Sequence, residues 1–317
     1  MYEKQGAAAG ASAPRVTLSG GGVIGSGWAA HFLRMGLDVV AFDPAAGAEQ
    51  AMRAAVARAW PTLERLGLRP GASPERLRFV RSLAEAVADA DFVQESTPER
   101  IEGKVRIFAE LDAASGPSTL LVSSTSGLLM TEIQRECRNP ERTVVGHPFH
   151  PPYLIPLVEV VGGERTSVES VDRVAAFYAA QGKEVVRLRR EVPAFIANRL
   201  QEAVWREMLH MIANGEASLE EIDRAMVHGP GLRWALAGPG LIYHLAGGEG
   251  GMAHCLDQFA PTLDAPWSRM DAPPFTDALR EELIAGAERE AAGRPMADLE
   301  RLRDEAIVAV LEARRTL

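Results

Sequence analysis

The chain has 317 residues, 47% hydrophobic and 24% charged, a balance typical of globular proteins and a length that predicts two domains rather than one core. A formal net charge of −9 argues against nucleic acid or an anionic membrane as the main partner and leaves a small molecule as the expected one. The only cysteines, Cys137 and Cys255, are too few for a disulfide framework or a thiolate zinc site; they suit a reducing cytoplasm, and no metal is expected.

Residues 1–14 are rich in Ala and Gly, lack the apolar core of a signal peptide, and read as a disordered tail. No run in the chain is apolar for long enough to cross a bilayer. From Arg15 the order is strand (16–19), the glycine turn Gly20-Gly21-Gly22-Val23-Ile24-Gly25, then a helix with apolar spacing over 28–35. In a dinucleotide-binding turn of this form Gly20 allows the tight turn, Gly22 lets a pyrophosphate approach the backbone, and Gly25 lets the helix pack closely. A second apolar strand, 37–42, ends at Asp43, where a ribose-binding acid belongs. No Arg follows Asp43, so NAD is expected over NADP.

Residues 47–68 predict one amphipathic helix that Pro61 kinks or divides. A short strand at 78–80, a helix at 83–90 and a strand at 91–95 follow, the last ending in Ser96-Thr97-Pro98-Glu99. Glu99 and Lys104 open the next helix, either as groups that reach a cofactor ribose or the substrate, or as solvated helix charges. The strand 120–122 runs into Ser123-Ser124-Thr125-Ser126; the hydroxyls either cap a helix over 130–136, or Ser126 donates to a substrate oxygen.

A strand from 143 leads into Gly146-His147-Pro148-Phe149-His150, and a strand over 157–161 carries Glu159. His147 and Glu159 are read as an acid/base pair facing each other across a short loop: the imidazole exchanges a proton near neutral pH, and the carboxylate fixes its tautomer. A last strand covers 184–188. Alternating strands and helices over 15–191 predict an α/β fold, a Rossmann-type, mostly parallel sheet.

After Val192 the texture changes to helix and turn: 195–215, 218–227 with Ser218 and Glu221 as a capping box, a loop over 228–234, 241–245, 248–259 and 296–316. The expected division is therefore a nucleotide domain, 15–192, and an all-helical substrate and dimerisation domain, 193–317.

The ordered set GGGVIGSG, Asp43, SSTSG, HPFHPPYLIPLVEVV and PAFIANRL resembles the L-3-hydroxyacyl-CoA dehydrogenase superfamily over the chain from Arg15. The resemblance implies an NAD-dependent dehydrogenase in which Ser126, His147, Glu159 and Asn198 are catalytic and Glu99 and Lys104 help hold the cofactor. It also implies a homodimer through the helical domain. His150 stands where that family has Asn, replacing an amide by an imidazole of different shape and pH-dependent charge.

Within the superfamily, the stretch GPGLRWALAGPGLIYHLAGGEGGM is similar to the branch that oxidises L-carnitine; the branch acting on L-gulonate, which includes lambda-crystallin, is less close. A substrate carrying a carboxylate and a quaternary ammonium wants a guanidinium and an aromatic wall, for which Arg233 and then Trp234, Phe149, Trp205 or Tyr243 are candidates. Each aromatic also suits a helical core, and Arg233 also suits an ordinary surface ion pair. A hydroxyacyl-CoA would want a basic strip around 47–68, but Arg53, Arg58 and Arg65 lie there among Glu and Ala, and the only lysines are Lys4, Lys104 and Lys183. Lysine-dependent 3-hydroxyacid dehydrogenases are excluded because 193–215 contains no lysine. A non-catalytic, crystallin-like protein is the remaining alternative.

Overall fold

The computed structural model describes residues 13–235, 237–259, 274 and 276–314. Most of the expected tail, residues 1–12, lies outside them. The chain divides into two compact units, Met1–Asn198 and Arg199–Leu317.

The first unit is built on one eight-stranded sheet. In chain order its elements are β1 (Val16–Ser19), α1 (Val23–Arg34), β2 (Val39–Phe42), α2 (Ala48–Leu66), β3 (Leu77–Phe79), α3 (Leu83–Val87) and β4 (Phe92–Glu95). Then come α4 (Ile101–Ala114), β5 (Leu120–Ser123), α5 (Met130–Ile133), β6 (Thr143–Pro148), β7 (Leu157–Gly162), α6 (Val168–Ala180) and β8 (Glu184–Arg187). The strand order is β3-β2-β1-β4-β5-β6-β7-β8, and every pairing is parallel except β6 with β7. β1, β4 and β5 are buried throughout, as strands covered on both faces must be. The order reverses between β1 and β4, which opens a crevice at the carboxyl ends of those strands. The glycine turn after β1 and residues 96–99 after β4 sit at that edge.

Three local expectations need correction. Pro61 does not divide α2, which runs from Ala48 to Leu66 with a buried face, Met52, Val56, Ala59, Leu63 and Leu66, that keeps the helical spacing across the proline. The hydroxyl run does not cap the helix after it, because the cap residue of α5 is Leu129, which makes no side-chain hydrogen bond. The stretch 228–234 is not simply a loop, since Pro230–Trp234 forms a short helix with proline at its first turn. The structure also adds α6, which begins at a Ser167 cap and buries Ser170, Val174 and Tyr178 at four-residue spacing.

The second unit is helical among its described residues. It contains most of α7 (Ala197–Ala213), then α8 (Leu219–His228), α9 (Pro230–Trp234), α10 (Pro239–Ala246), α11 (Gly251–Phe259), α12 (Asp277–Ala291) and α13 (Met296–Arg314). Ser218 and Glu221 form the expected capping box on α8. Leu209, Ile212, Leu219, Ile222 and Leu279 make a small core, and α12 was not foreseen.

Candidate functional site

The glycine turn joins β1 to α1. Gly20 has φ 108°, a left-handed conformation, and a Cβ there would lie 2.6 Å from the Ser96 carbonyl oxygen; only glycine fits this position. A Cβ on Gly25 would lie 2.0 Å from the Gly20 carbonyl oxygen, so the helix packs directly on the turn. At Gly22 the reverse holds: a Cβ would meet nothing within 4 Å, and bare backbone faces open space. Gly22 caps α1 without a side-chain hydrogen bond, and the first turn, containing Val23 and Ile24, carries no acidic residue. Unclaimed amides at a positive helix end, with room before them, fit a dinucleotide pyrophosphate.

Asp43, just beyond β2, accepts from Gly21 N (2.7 Å) on one oxygen and from Ala45 N (2.8 Å) on the other. Its carboxylate is thereby fixed beside an open pocket lined by residues that include Phe42, Ala45, Phe79, Val80 and Arg81. Each oxygen keeps a lone pair for a ribose hydroxyl.

His147 and Glu159 are direct partners in the antiparallel ladder of β6 and β7, so their side chains share one face of the sheet. The expectation placed them across a short loop; the sheet register is what brings them together. His147 Nδ1 lies 2.9 Å from Glu159 Oε2, with side-chain exposures of 3% and 1%. Glu159 Oε1 accepts from Ile196 N (2.9 Å) and Ala197 N (3.0 Å), at the start of α7. Burial pushes the Glu159 carboxyl upward, but the His147 bond and the two amides outweigh it and hold the group below the usual carboxylate range. An ionised carboxylate only accepts, so Nδ1 is the donor, and in the neutral ring Nε2 then holds the lone pair.

Asn198, the second residue of α7, donates from Nδ2 to the Ser126 carbonyl (2.8 Å). Ser126 N in turn donates to Glu99 Oε1 (2.8 Å), which also takes the Thr125 hydroxyl (2.5 Å). Glu99 thus shapes the Ser126 loop from the opening of α4, and the exposed Ser126 hydroxyl belongs to a fixed backbone.

Lys104 is buried and faces carboxylates. It is 1% exposed, 2.8 Å from Glu95 Oε1 and 3.5 Å from Glu99 Oε2. Glu95, fully buried, also accepts from Thr97 N (2.6 Å), Thr97 Oγ1 (2.5 Å) and Ser123 Oγ (2.6 Å). Lys104 therefore contacts Glu95 and Glu99, and Glu95 is a residue that the sequence reading missed. The other hydroxyls are engaged too: Ser124 Oγ meets Gln94 Nε2 (2.8 Å), Ser96 Oγ (2.9 Å) and Trp28 Nε1 (3.2 Å).

Phe195 was also missed. Ala194 and Phe195 both have positive φ, 58° and 55°, costing roughly 1–3 kcal/mol each for residues with side chains. The strained turn buries Phe195 fully, 5.3 Å from the His147 ring, and delivers the two amides to Glu159. Phe149 flanks the imidazole from another side, ring centroids 5.6 Å apart in an edge-on arrangement. Of the other candidates, Arg233 and Trp234 are exposed on α9 in the second unit, Trp234 at 41%. His150, in the loop after β6, is also exposed.

Among the described residues no His, Cys, Asp and Glu group could hold a metal ion, and no helix is long and apolar enough to cross a membrane.

Comparison with known proteins shows the family. An L-carnitine dehydrogenase of Streptomyces griseus is 58% identical over 299 residues, 94% of this chain and 89% of that protein. Another, of Nocardiopsis dassonvillei, is 57% identical over 298 residues, 94% of this chain and 91% of that protein. Among solved structures, an NAD-dependent 5-formyl-3-hydroxy-2-methylpyridine 4-carboxylic acid 5-dehydrogenase superposes with a TM-score of 0.81 at 28% identity, covering 95% of this chain and 98% of that one. Residues 15–192 match the model of the 3-hydroxyacyl-CoA dehydrogenase NAD-binding domain and residues 195–297 that of its C-terminal domain, so the chain belongs to the 3-hydroxyacyl-CoA dehydrogenase family and takes NAD as its cofactor.

Proposed function

We propose that the protein oxidises the 3-hydroxyl of L-carnitine to 3-dehydrocarnitine, with His147 as general base. The observation that carries the chemistry is the buried 2.9 Å contact between His147 Nδ1 and a Glu159 carboxylate anchored on two α7 amides. The substrate rests on relatives named L-carnitine dehydrogenase along nearly the whole chain. NAD, when bound, supplies the hydride acceptor that no side chain can provide. His147 Nε2 takes the hydroxyl proton as the C3 hydride leaves, the carbon is oxidised to a ketone, and the proton passes to solvent. Glu159 steadies the imidazolium that forms.

Ser126 and Asn198 hold the reacting oxygen, each such donor being worth ~2.7–4 kcal/mol where negative charge develops. One hydrogen of Asn198 Nδ2 is on the Ser126 carbonyl, and the second serves the substrate. For the substrate carboxylate the second unit offers Arg233; for the ammonium, Trp234 there and Phe149 beside His147 are the aromatic candidates. We assign Gly20, Gly22, Val23, Ile24, Gly25 and Asp43 to NAD, with Glu99 at the nicotinamide end. Asp43→Ala is expected to raise KM for NAD roughly ten- to hundredfold, a charge-assisted hydrogen bond being worth about 1.5–3 kcal/mol. kcat at saturating NAD should change by no more than about threefold, and steady-state titration with NAD checks both values.

A homodimer is the proposed assembly, supported by large apolar side chains exposed in the second unit, among them Leu200, Leu232, Leu241 and Leu245. A cytoplasmic location is supported by two free cysteines. The deciding experiment is absorbance at 340 nm with L-carnitine, L-gulonate and a short L-3-hydroxyacyl-CoA, each with NAD and NADP. NADH formation from L-carnitine alone is expected. Turnover of the acyl-CoA or the sugar acid without turnover of L-carnitine would reject the substrate.

A further inference from the structure

Lys104 and Lys183 are both buried, and their surroundings differ. Lys104 faces a carboxylate. Lys183, 6% exposed in the turn between α6 and β8, faces carbonyls: its ammonium donates to Pro152 O and to Ile155 O, the latter at 3.1 Å. It also lies 5.0 Å above the Trp28 ring. Burial first, then the positive charge of Arg34, bring its pKa down to about 7. The neighbouring His31 is likewise pushed well down, by burial and then by the charges of Lys183 and Arg34.

Both carbonyls belong to one loop. Residues 149–156 join β6, which carries His147, to β7, which carries Glu159. The same loop rests on α1: a Cβ on Gly27 would lie 2.7 Å from Pro152 Cδ, so the proline ring occupies the space that any larger residue would need. Trp28, next along α1, closes the other side of the Lys183 site and donates to Ser124, two residues before Ser126. A polar group buried this deeply is costly unless each hydrogen finds an acceptor, and an apolar side chain would fill the volume more cheaply. What lysine adds is a polar attachment for two backbone carbonyls of a loop that otherwise rests on α1 through the Pro152 ring.

We propose that Lys183 is a positioning residue that sets His147 relative to the dinucleotide-binding helix α1 by pinning the loop 149–156 to it. The inference rests on the reading of His147 as the base. α1 presents its first turn to the cofactor, β6 presents the base, and Lys183 bridges the loop of one to the flank of the other. Its loss lets the base drift from the reacting centre while the glycine turn and Asp43 stay as they are.

The test uses the full chain with Lys183→Met and Lys183→Gln. For Lys183→Met, kcat with L-carnitine and NAD is expected to fall at least tenfold, since a displacement near 1 Å already costs on the order of a hundredfold in a positioned reaction. The NAD dissociation constant by calorimetry should stay within twofold, and the melting temperature should change by only a few degrees, because the buried amine that is removed offsets the two carbonyls left without their donor. Lys183→Gln, whose amide keeps two donors, should regain part of kcat. In histidine-labelled protein the His147 ring resonance, identified by its loss in His147→Ala, should move in Lys183→Met. Wild-type kcat in Lys183→Met with an unmoved His147 signal overturns the proposal. So does a parallel loss of activity, NAD binding and melting temperature that Lys183→Gln does not relieve, which is the mark of a structural role. If wild type does not oxidise L-carnitine, the substrate reading fails and the ring signal alone decides on Lys183.

Discussion

His147→Ala is expected to lower kcat by about 10²–10⁴-fold, the contribution of a positioned general base, while NAD affinity stays within a few-fold of wild type. The separation follows from the structure. The turn that fits the pyrophosphate is built from β1, Gly20, Gly22 and the first turn of α1, and Asp43 is fixed by Gly21 and Ala45 amides. None of those groups contacts the imidazole. The rings that do, Phe149 and Phe195, lose a neighbour but keep their backbone. Glu159 keeps both α7 amides and so remains a satisfied carboxylate, which limits the damage to the fold. Stopped-flow absorbance at 340 nm with saturating NAD and L-carnitine measures the chemical step, and calorimetric titration measures NAD. Turnover within tenfold of wild type places the base elsewhere.

The second large effect is on stability. Glu95→Gln removes the charge facing a Lys104 ammonium that is 1% exposed, and it weakens the acceptor shared by Thr97 and Ser123. Breaking one side of a buried pair costs about 3–5 kcal/mol, because the other charge stays in a medium that solvates it poorly. For a unit of this size that is roughly 10 °C in melting temperature. Removing both charges, Glu95→Leu with Lys104→Met, should cost clearly less than Glu95→Gln alone, since a buried pair is nearly balanced by its own desolvation. Calorimetry of the three proteins checks this, and a double variant less stable than the single one contradicts it. A rise in KM for NAD in Glu95→Gln is the functional companion, because Lys104 also stands 3.5 Å from Glu99, which holds the Ser126 loop.

These two residues mark what could and could not be read from the chain. The nucleotide half was legible because its signals are local: alternation of apolar strand and helix, glycines at fixed offsets, an acid at the end of the next strand. His147 and Glu159 were legible as a pair through their residue types, yet their facing comes from the β6–β7 register, which neither residue type reveals. Glu95 and Lys104 are nine positions apart in sequence, on a strand end and a helix, and no periodicity links them. The run from Ser123 to Ser126 was read as one feature, whereas in space Ser123 serves Glu95, Ser124 serves Gln94 and Trp28, and Thr125 serves Glu99. Phe195 was invisible because its role depends on two successive left-handed residues, a conformation that alanine and phenylalanine do not advertise. Helix α6 went unread between two stronger strand signals, although Tyr178 on it bonds Gln94 across the core at 2.5 Å.

In the proposed reaction the imidazole and the carboxylate beside it work as one unit on the substrate proton. The most direct test of this is the kcat of His147→Ala, of Glu159→Gln and of the double variant, each with NAD binding confirmed. If the two act together, removing Glu159 from a protein that already lacks His147 changes kcat by less than about threefold, although the same change in wild type costs far more. If instead the two losses multiply, Glu159 acts independently of His147 and the two are not a catalytic pair.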